Sequence, residues 1–149
     1  MDLIEVQDFL RFFPVEEIKC KGSGECKIDP RIIEPLFSLR FQWDRPLYSN
    51  SFCRNPSHNT KIGGHPRSLH LTENPHWPTY GSMAIDIRWR DWDELDKLAF
   101  CQLALEKGFR VGLNNGFVHL DMGLLLGLTN SVFVYGSYTG DLHIKLREV

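Results

Sequence analysis

No run of apolar residues in this 149-residue chain approaches the roughly 20 that a membrane span requires; the longest, such as Val132–Tyr135, are only a few residues. A surplus of basic charge is also missing. Seventeen Lys and Arg against nineteen Asp and Glu leave a net charge of −2. That balance cannot neutralise many phosphates, so nucleic acid is not an expected partner. Repeats, low-complexity tracts and long linkers are absent. The opening residues, Met1 to Val6, lack a basic segment followed by an apolar one, so the expectation is cytoplasmic synthesis without a secretory signal. What remains is ordinary globular composition, 42% hydrophobic and 24% charged, read as a single domain over residues 1–149. A chain of this length buries a core without help from disulfides.

Cysteine is sparse: Cys20, Cys26, Cys53 and Cys101. Five residues separate Cys20 from Cys26, too many for the usual half of a zinc finger. Free thiols are the expectation, with a Cys20–Cys26 staple or an irregular second metal site as alternatives.

The pattern along the chain predicts an α+β fold, a small mainly antiparallel sheet flanked by helices. Val6, Phe9, Leu10, Phe12 and Phe13 form an apolar pattern at the start. Asp29-Pro30 reads as an N-cap followed by proline at the first helical position, leading into Ile32, Ile33, Leu36 and Phe37, although Pro35 opposes a helix there. Leu47–Ser51 reads as a short strand. Met83 to Trp89 alternates, with Met83, Ile85, Ile87 and Trp89 on one face and Ala84, Asp86 and Arg88 on the other. Asp91 with Glu94 resembles a capping box, opening a helix with the stripe Trp92, Leu95, Ala99 and Leu103 that stops at Gly108. Strands at Phe109–Leu113 and Phe117–Met122 flank Asn114-Asn115-Gly116, a hairpin turn. A last hairpin is predicted from Val132–Tyr138 and Leu142–Leu146.

Between Cys53 and Tyr80 the composition shifts to four of the six histidines, four prolines and Gly63-Gly64. A loop-rich span of this length inside a domain usually carries function. His70, Asp86 and His119 stand out beside it, the latter two as polar residues within apolar strands. Two histidines and a carboxylate suit a zinc ion that keeps its fourth position for water. On residue type alone, core histidines bonded to a neighbour and a turn-capping aspartate are the commoner explanation.

The order of motifs decides further. Ser51, Arg54 and Asn59, then Ile62-Gly63-Gly64, then Ser68 and His70, resemble the S-x-x-R…N…(V/I)-G-G…S-x-H signature of the zinc D-Ala-D-Ala carboxypeptidase family, common among phage endolysins. Ser82-Met83-Ala84-Ile85-Asp86 is close to that family's G-x-A-x-D, and Phe117-Val118-His119-Leu120-Asp121 matches its (W/F)-x-H-x-D. The resemblance covers about residues 51–121 in the right order. It implies the small α+β zinc fold shared with the hedgehog signalling domain, and Zn²⁺ held by His70, Asp86 and His119. It also implies that Arg54 faces the substrate, where a guanidinium holds a carboxylate or polarises a carbonyl. Gly63-Gly64 is read as a tight turn, Ser68 as orienting the ligand segment or as a turn serine, and Asn59 as satisfying loop backbone. Cys53 and His58 are read as packing residues.

Three departures qualify the match. His70 and Asp86 are sixteen positions apart, wider than the family spacing, so Leu71–Thr79 reads as an inserted loop at the rim of the cleft, with His76 a rival ligand. Ser82 stands where the family has glycine, with Gly81 next to it. Gly116 occupies the position where relatives often carry an acidic general base. The candidates to replace it are Asp121, on the same strand face as His119, and Glu73 in the inserted loop.

The resulting expectation is a zinc metallopeptidase acting on peptidoglycan stem peptides, as carboxypeptidase or endopeptidase. It would reach the bacterial cell wall after release or as part of a phage particle. Two rivals stand beside it: a zinc-bearing, non-catalytic phage structural or binding module, and a metal-free structural domain.

Overall fold

Asp29 and Pro30 open the longest helix in the manner predicted. Asp29 is fully buried, and its carboxylate accepts from the Arg31 backbone N–H at 3.0 Å. The computed structural model describes residues 3–147; the first and last two residues and the side chains of residues 3–6, with them the Val6 end of the apolar pattern, lie outside the described residues. The helical elements are α1 (Leu3–Phe12), α2 (Val15–Ile18), α3 (Pro30–Trp43), α4 (Pro56–Lys61), α5 (Glu94–Glu106) and α6 (Leu142–Arg147). The strands are β1 (Ser49–Ser51), β2 (Ala84–Arg88), β3 (Arg110–Leu113), β4 (Phe117–Asp121) and β5 (Val132–Val134).

Helix α3 runs through Pro35 although an interior proline costs about 3 kcal/mol. The offsetting term is the stripe Ile32, Leu36 and Leu39, each fully buried, at roughly 1.5–3 kcal/mol apiece. Asp44 closes the helix in the left-handed region, φ 55°.

The chain is α+β. Its sheet has the order β1-β2-β4-β3-β5, antiparallel except that β5 joins β3 in parallel. Strand β2 is buried on both faces up to Ile87. Met83, Ile85, Ile87 and Trp89 enter the core as their alternation predicts, while on the other side Ala84 is fully buried and Asp86 faces a cleft. The β3–β4 connection is the expected Asn114-Asn115-Gly116 turn, in which Asn114 Oδ1 accepts from the Gly116 N–H at 2.9 Å.

Three local expectations are corrected. Helix α5 is capped by Asp93, not Asp91: Asp93 Oδ1 accepts from the Asp96 N–H at 2.8 Å, while Asp91 lies in the preceding turn. That turn lifts Trp92 off the helix, where it stacks on Trp43 and meets the edge of Phe100. The buried face of α5 is therefore Phe100, Cys101 and Ala104, and Leu95 of the predicted stripe is 79% exposed. The final hairpin does not form either. Leu142–Arg147 is a helix, because Leu142 and Leu146 bury at a spacing of four while Ile144 faces solvent. Its first turn is fixed by the Leu142 N–H donating to the Tyr138 hydroxyl at 3.0 Å. Val132 to Val134 consequently has no following strand to pair with and docks on β3 instead.

Candidate active site

The β2–β4 ladder brings the proposed ligands together. Asp86 pairs directly with His119, and Ala84 pairs with Asp121, so both acids and the histidine share the cleft side of the sheet. His70 arrives from the loop before β2. Its backbone carbonyl accepts from the Arg54 N–H at 2.9 Å, and the Met83 N–H bonds the Leu69 carbonyl at 2.8 Å, which ties the His70 segment to both neighbours. Ser68 has the local role read for it, its Oγ accepting from the His70 N–H at 3.1 Å.

The three side chains are buried and their ligand atoms lie within 4.8 Å of one another. Asp86 Oδ1 is 3.1 Å from His70 Nε2 and 3.0 Å from His119 Nδ1. Donors around a tetrahedral centre with bonds of ~2.0–2.1 Å are separated by ~3.3 Å, so the spacing fits a zinc-sized ion. The protonation pattern points the same way. His70 Nδ1–H donates to the Phe52 carbonyl at 2.8 Å. Burial, outweighing the neighbouring Asp86, holds His70 below its usual pKa and keeps it neutral. A neutral ring that donates from Nδ1 turns a bare Nε2 lone pair toward a carboxylate oxygen. Two acceptors in that contact call for a cation between them.

His119 is held from the other side. Its Nε2 bonds Asp121 Oδ2 at 2.7 Å, and Asp121 Oδ1 accepts from the Gly123 N–H at 2.8 Å. Burial opposes charge on His119, but hydrogen bonds to Asp121 and Asp86 raise its pKa to about 9. Asp86 is held far below the carboxylate range: burial pushes it up, and the two histidines more than reverse that. Asp121 thus fixes the tautomer that leaves Nδ1 for a metal.

Arg54 is locked in place by the residues that accompany it in the motif. Its Nε donates to Ser51 Oγ at 3.0 Å, Nη1 to Asn59 Oδ1 at 3.4 Å, and Nη2 to Asp86 Oδ2 at 3.4 Å. Asn59 also donates from Nδ2 to the His65 carbonyl at 3.0 Å, the loop-satisfying role read from the sequence. Gly64 is required for this arrangement. A Cβ there would sit 2.0 Å from Asn59 Oδ1 and 3.2 Å from Arg54 Nη1. Gly81, at φ +145°, packs against the backbone of Lys27–Asp29, while Ser82 is buried with its hydroxyl on the Phe52 carbonyl at 2.9 Å.

These groups floor a cleft of about 550 Å³. Trp77 of the Leu71–Thr79 excursion lines it, so that segment reaches the rim as expected. His76 is exposed and outside the ligand group, and Glu73 is exposed and off the cleft wall. Gly116 also lies outside the cleft, against the Arg90 guanidinium. Among the cleft residues to which sequence reasoning gave no role are Arg67, Arg110, Phe133 and Tyr135. Arg110 pairs with Asp121 across β3–β4 and lies over the Phe133 ring at 4.7 Å. The spacing of Phe133 and Tyr135 by two was a usable signal of a shared face, but the parallel β3–β5 pairing that aims that face was not.

Against known families, the chain matches peptidase M15 over residues 11–121, which includes every ligand and the Arg54 cradle. The chain belongs to the peptidase M15 family. M15 peptidases depend on zinc, and in this one the donor set suited to it is His70, Asp86 and His119. The M15 assignment agrees with the α+β fold and the mainly antiparallel sheet. No curated protein and no solved structure matches the chain.

Proposed function

We propose that this M15 member hydrolyses peptide bonds in the stem peptides of bacterial peptidoglycan, as a carboxypeptidase or endopeptidase. The observation that carries the reading is the His70–Asp86–His119 group at the floor of a cleft whose charged wall is arginine. Arg54, Arg67 and Arg110 face the cleft, while its two carboxylates, Asp86 and Asp121, are engaged by the histidines. Such a wall favours a substrate that brings its own carboxylates, as stem peptides do. Zinc in this site supplies a Lewis acid for the scissile carbonyl and lowers the pKa of water. Arg54 orients the substrate and steadies Asp86, Asp121 steadies His119, and Trp77, Phe133 and Tyr135 give the cleft apolar walls. Asp121 is the one lining carboxylate among the described residues besides the ligand itself, and because both its oxygens are engaged, by His119 and Gly123, it serves a positioning role first. A phage lysis enzyme reaching the wall after release, or a component of a phage particle, is the setting this chemistry suits.

One observation favours a second reading, a zinc-bearing module that binds stem peptides without cleaving them. Among the described residues no unengaged carboxylate lines the cleft. Incubating zinc-loaded protein with purified sacculi separates the two. New amino and carboxyl termini in the soluble products support hydrolysis, and retention on sacculi without new termini supports binding alone.

A further inference from the structure

A second cluster of metal-ligating side chains lies on the far side of the Phe52–Asn55 segment. The loop from Cys20 to Cys26 folds back on itself: the Cys20 N–H donates to the Glu25 carbonyl at 2.7 Å, and the Gly24 N–H to the Cys20 carbonyl at 2.8 Å. Gly24 takes φ +77°, and Gly22 packs so closely on His58 that a Cβ there would lie 2.5 Å from Nδ1. The Cys53 N–H bonds the Ile18 carbonyl at 3.0 Å, which sets Cys53 beside this loop, and its Sγ reaches the Lys27 carbonyl at 3.6 Å. The Asn55 N–H points at Cys20 Sγ from 3.4 Å.

We propose that Cys20, Cys26, Cys53 and His58 form a second, structural site for a thiophilic divalent cation such as zinc, separate from the His70 group and independent of the peptidase reading. Three thiolates and one imidazole are a complete donor set for a closed tetrahedral site. Backbone N–H groups aimed at a cysteine sulfur are the support a metal thiolate needs. The Cys26 side chain already lies within hydrogen-bond reach of Cys53, and the cluster is looser than the His70 group, so its four donors close up only around the cation. The consequence is mechanical. Phe52 presents the carbonyl that orients His70 and Arg54 faces the cleft, and a cation on Cys53 pins the residue between them.

The test is zinc stoichiometry of the full chain purified under reducing conditions, with an organomercurial that displaces zinc from thiolates alone. Two zinc ions per chain are expected, one released by the mercurial and one retained. Cys26→Ser, at an exposed position, should lose only the releasable ion, and His70→Ala only the retained one. Cobalt substitution of the His70→Ala protein should give the near-ultraviolet absorption of thiolate–cobalt bonds. A single zinc that resists the mercurial overturns the proposal. So does a cobalt-loaded His70→Ala protein without thiolate absorption, or a zinc-saturated protein in which Cys26 titrates as a free thiol.

Discussion

Asp86 Oδ1 stands midway between His70 Nε2 and His119 Nδ1, at 3.1 and 3.0 Å, and the two imidazoles meet it in different protonation states. His70 is kept neutral by burial, with the Phe52 carbonyl holding its proton on Nδ1, whereas His119 is kept charged by Asp121 and Asp86. The site is therefore poised for a cation, which takes over from the proton on His119 the task of neutralising Asp86.

That asymmetry predicts a pH dependence of metal binding. His119 has a folded-state pKa of about 9, above the ordinary value near 6.5. A metal must displace one proton from Nδ1, so zinc affinity at this site should rise tenfold per pH unit up to about pH 9 and level off beyond it. Titration of the Cys26→Ser variant by calorimetry in two buffers, which counts protons released, checks this without thiol contributions. An affinity that is flat between pH 7 and 9 contradicts it.

The same shift has a sign for stability. A histidine whose pKa is raised on folding stabilises the protein fully below its unfolded pKa, and that contribution is lost as pH rises through the folded one. Chelator-treated protein should thus lose urea resistance between about pH 6.5 and 9, and excess zinc should restore it. The check is a urea midpoint measured at each pH with and without the metal.

His70→Ala should abolish binding at the His70 group and hydrolysis while leaving the chain folded. Its ring lies at the edge of a core that runs from Phe9 to Leu146 and includes fully buried Phe13, Phe52, Trp89, Phe100 and Phe109. Far-ultraviolet circular dichroism and a cooperative melt should stay near those of the wild-type apo protein.

Asp121→Asn separates positioning from proton transfer. If Asp121 holds the His119 tautomer, the variant should bind zinc roughly 10–100-fold more weakly and lose activity in step with zinc occupancy. A general base would instead show a rate loss of roughly 10²–10⁴ at full zinc occupancy. Zinc affinity and turnover at saturating zinc, measured on the same preparation, distinguish the two.

How much of this was legible in the sequence depends on the range of the interactions involved. Asp29-Pro30, the alternation around Asp86 and the Asn114–Gly116 turn are set by neighbours a few residues away, and they fold as read. The ligand trio was legible through the order of motifs, since neither its residue types nor its spacing set it apart from core polar groups. What escaped depends on distant partners. Asp91 and Asp93 both precede acidic residues, and only the packing of Trp92 on Trp43 decides between them. Leu142, Ile144 and Leu146 alternate like a strand, yet the Tyr138 hydroxyl starts a helix that buries the outer two. The motif names Ser51, Arg54 and Asn59 together, but that the first and last grip the guanidinium of the second depends on the helix cap between them and is not written in the spacing.

Gly64→Ala tests that grip directly. The added Cβ would fall 2.0 Å from Asn59 Oδ1, so Asn59 and Arg54 must move while the metal ligands stay. Zinc content should be unchanged and kcat/KM on a stem peptide should fall at least tenfold. Equal loss in a substrate lacking a free carboxylate would assign the effect to the scissile carbonyl rather than to carboxylate recognition.

The most direct test of the central claim is mass spectrometry of the soluble products when zinc-loaded wild-type protein digests purified sacculi, with His70→Ala as control. Stem peptides shortened or separated at a defined peptide bond, produced by the wild type and absent with His70→Ala, are the predicted result. Intact stems after prolonged incubation with fully zinc-occupied protein would contradict it.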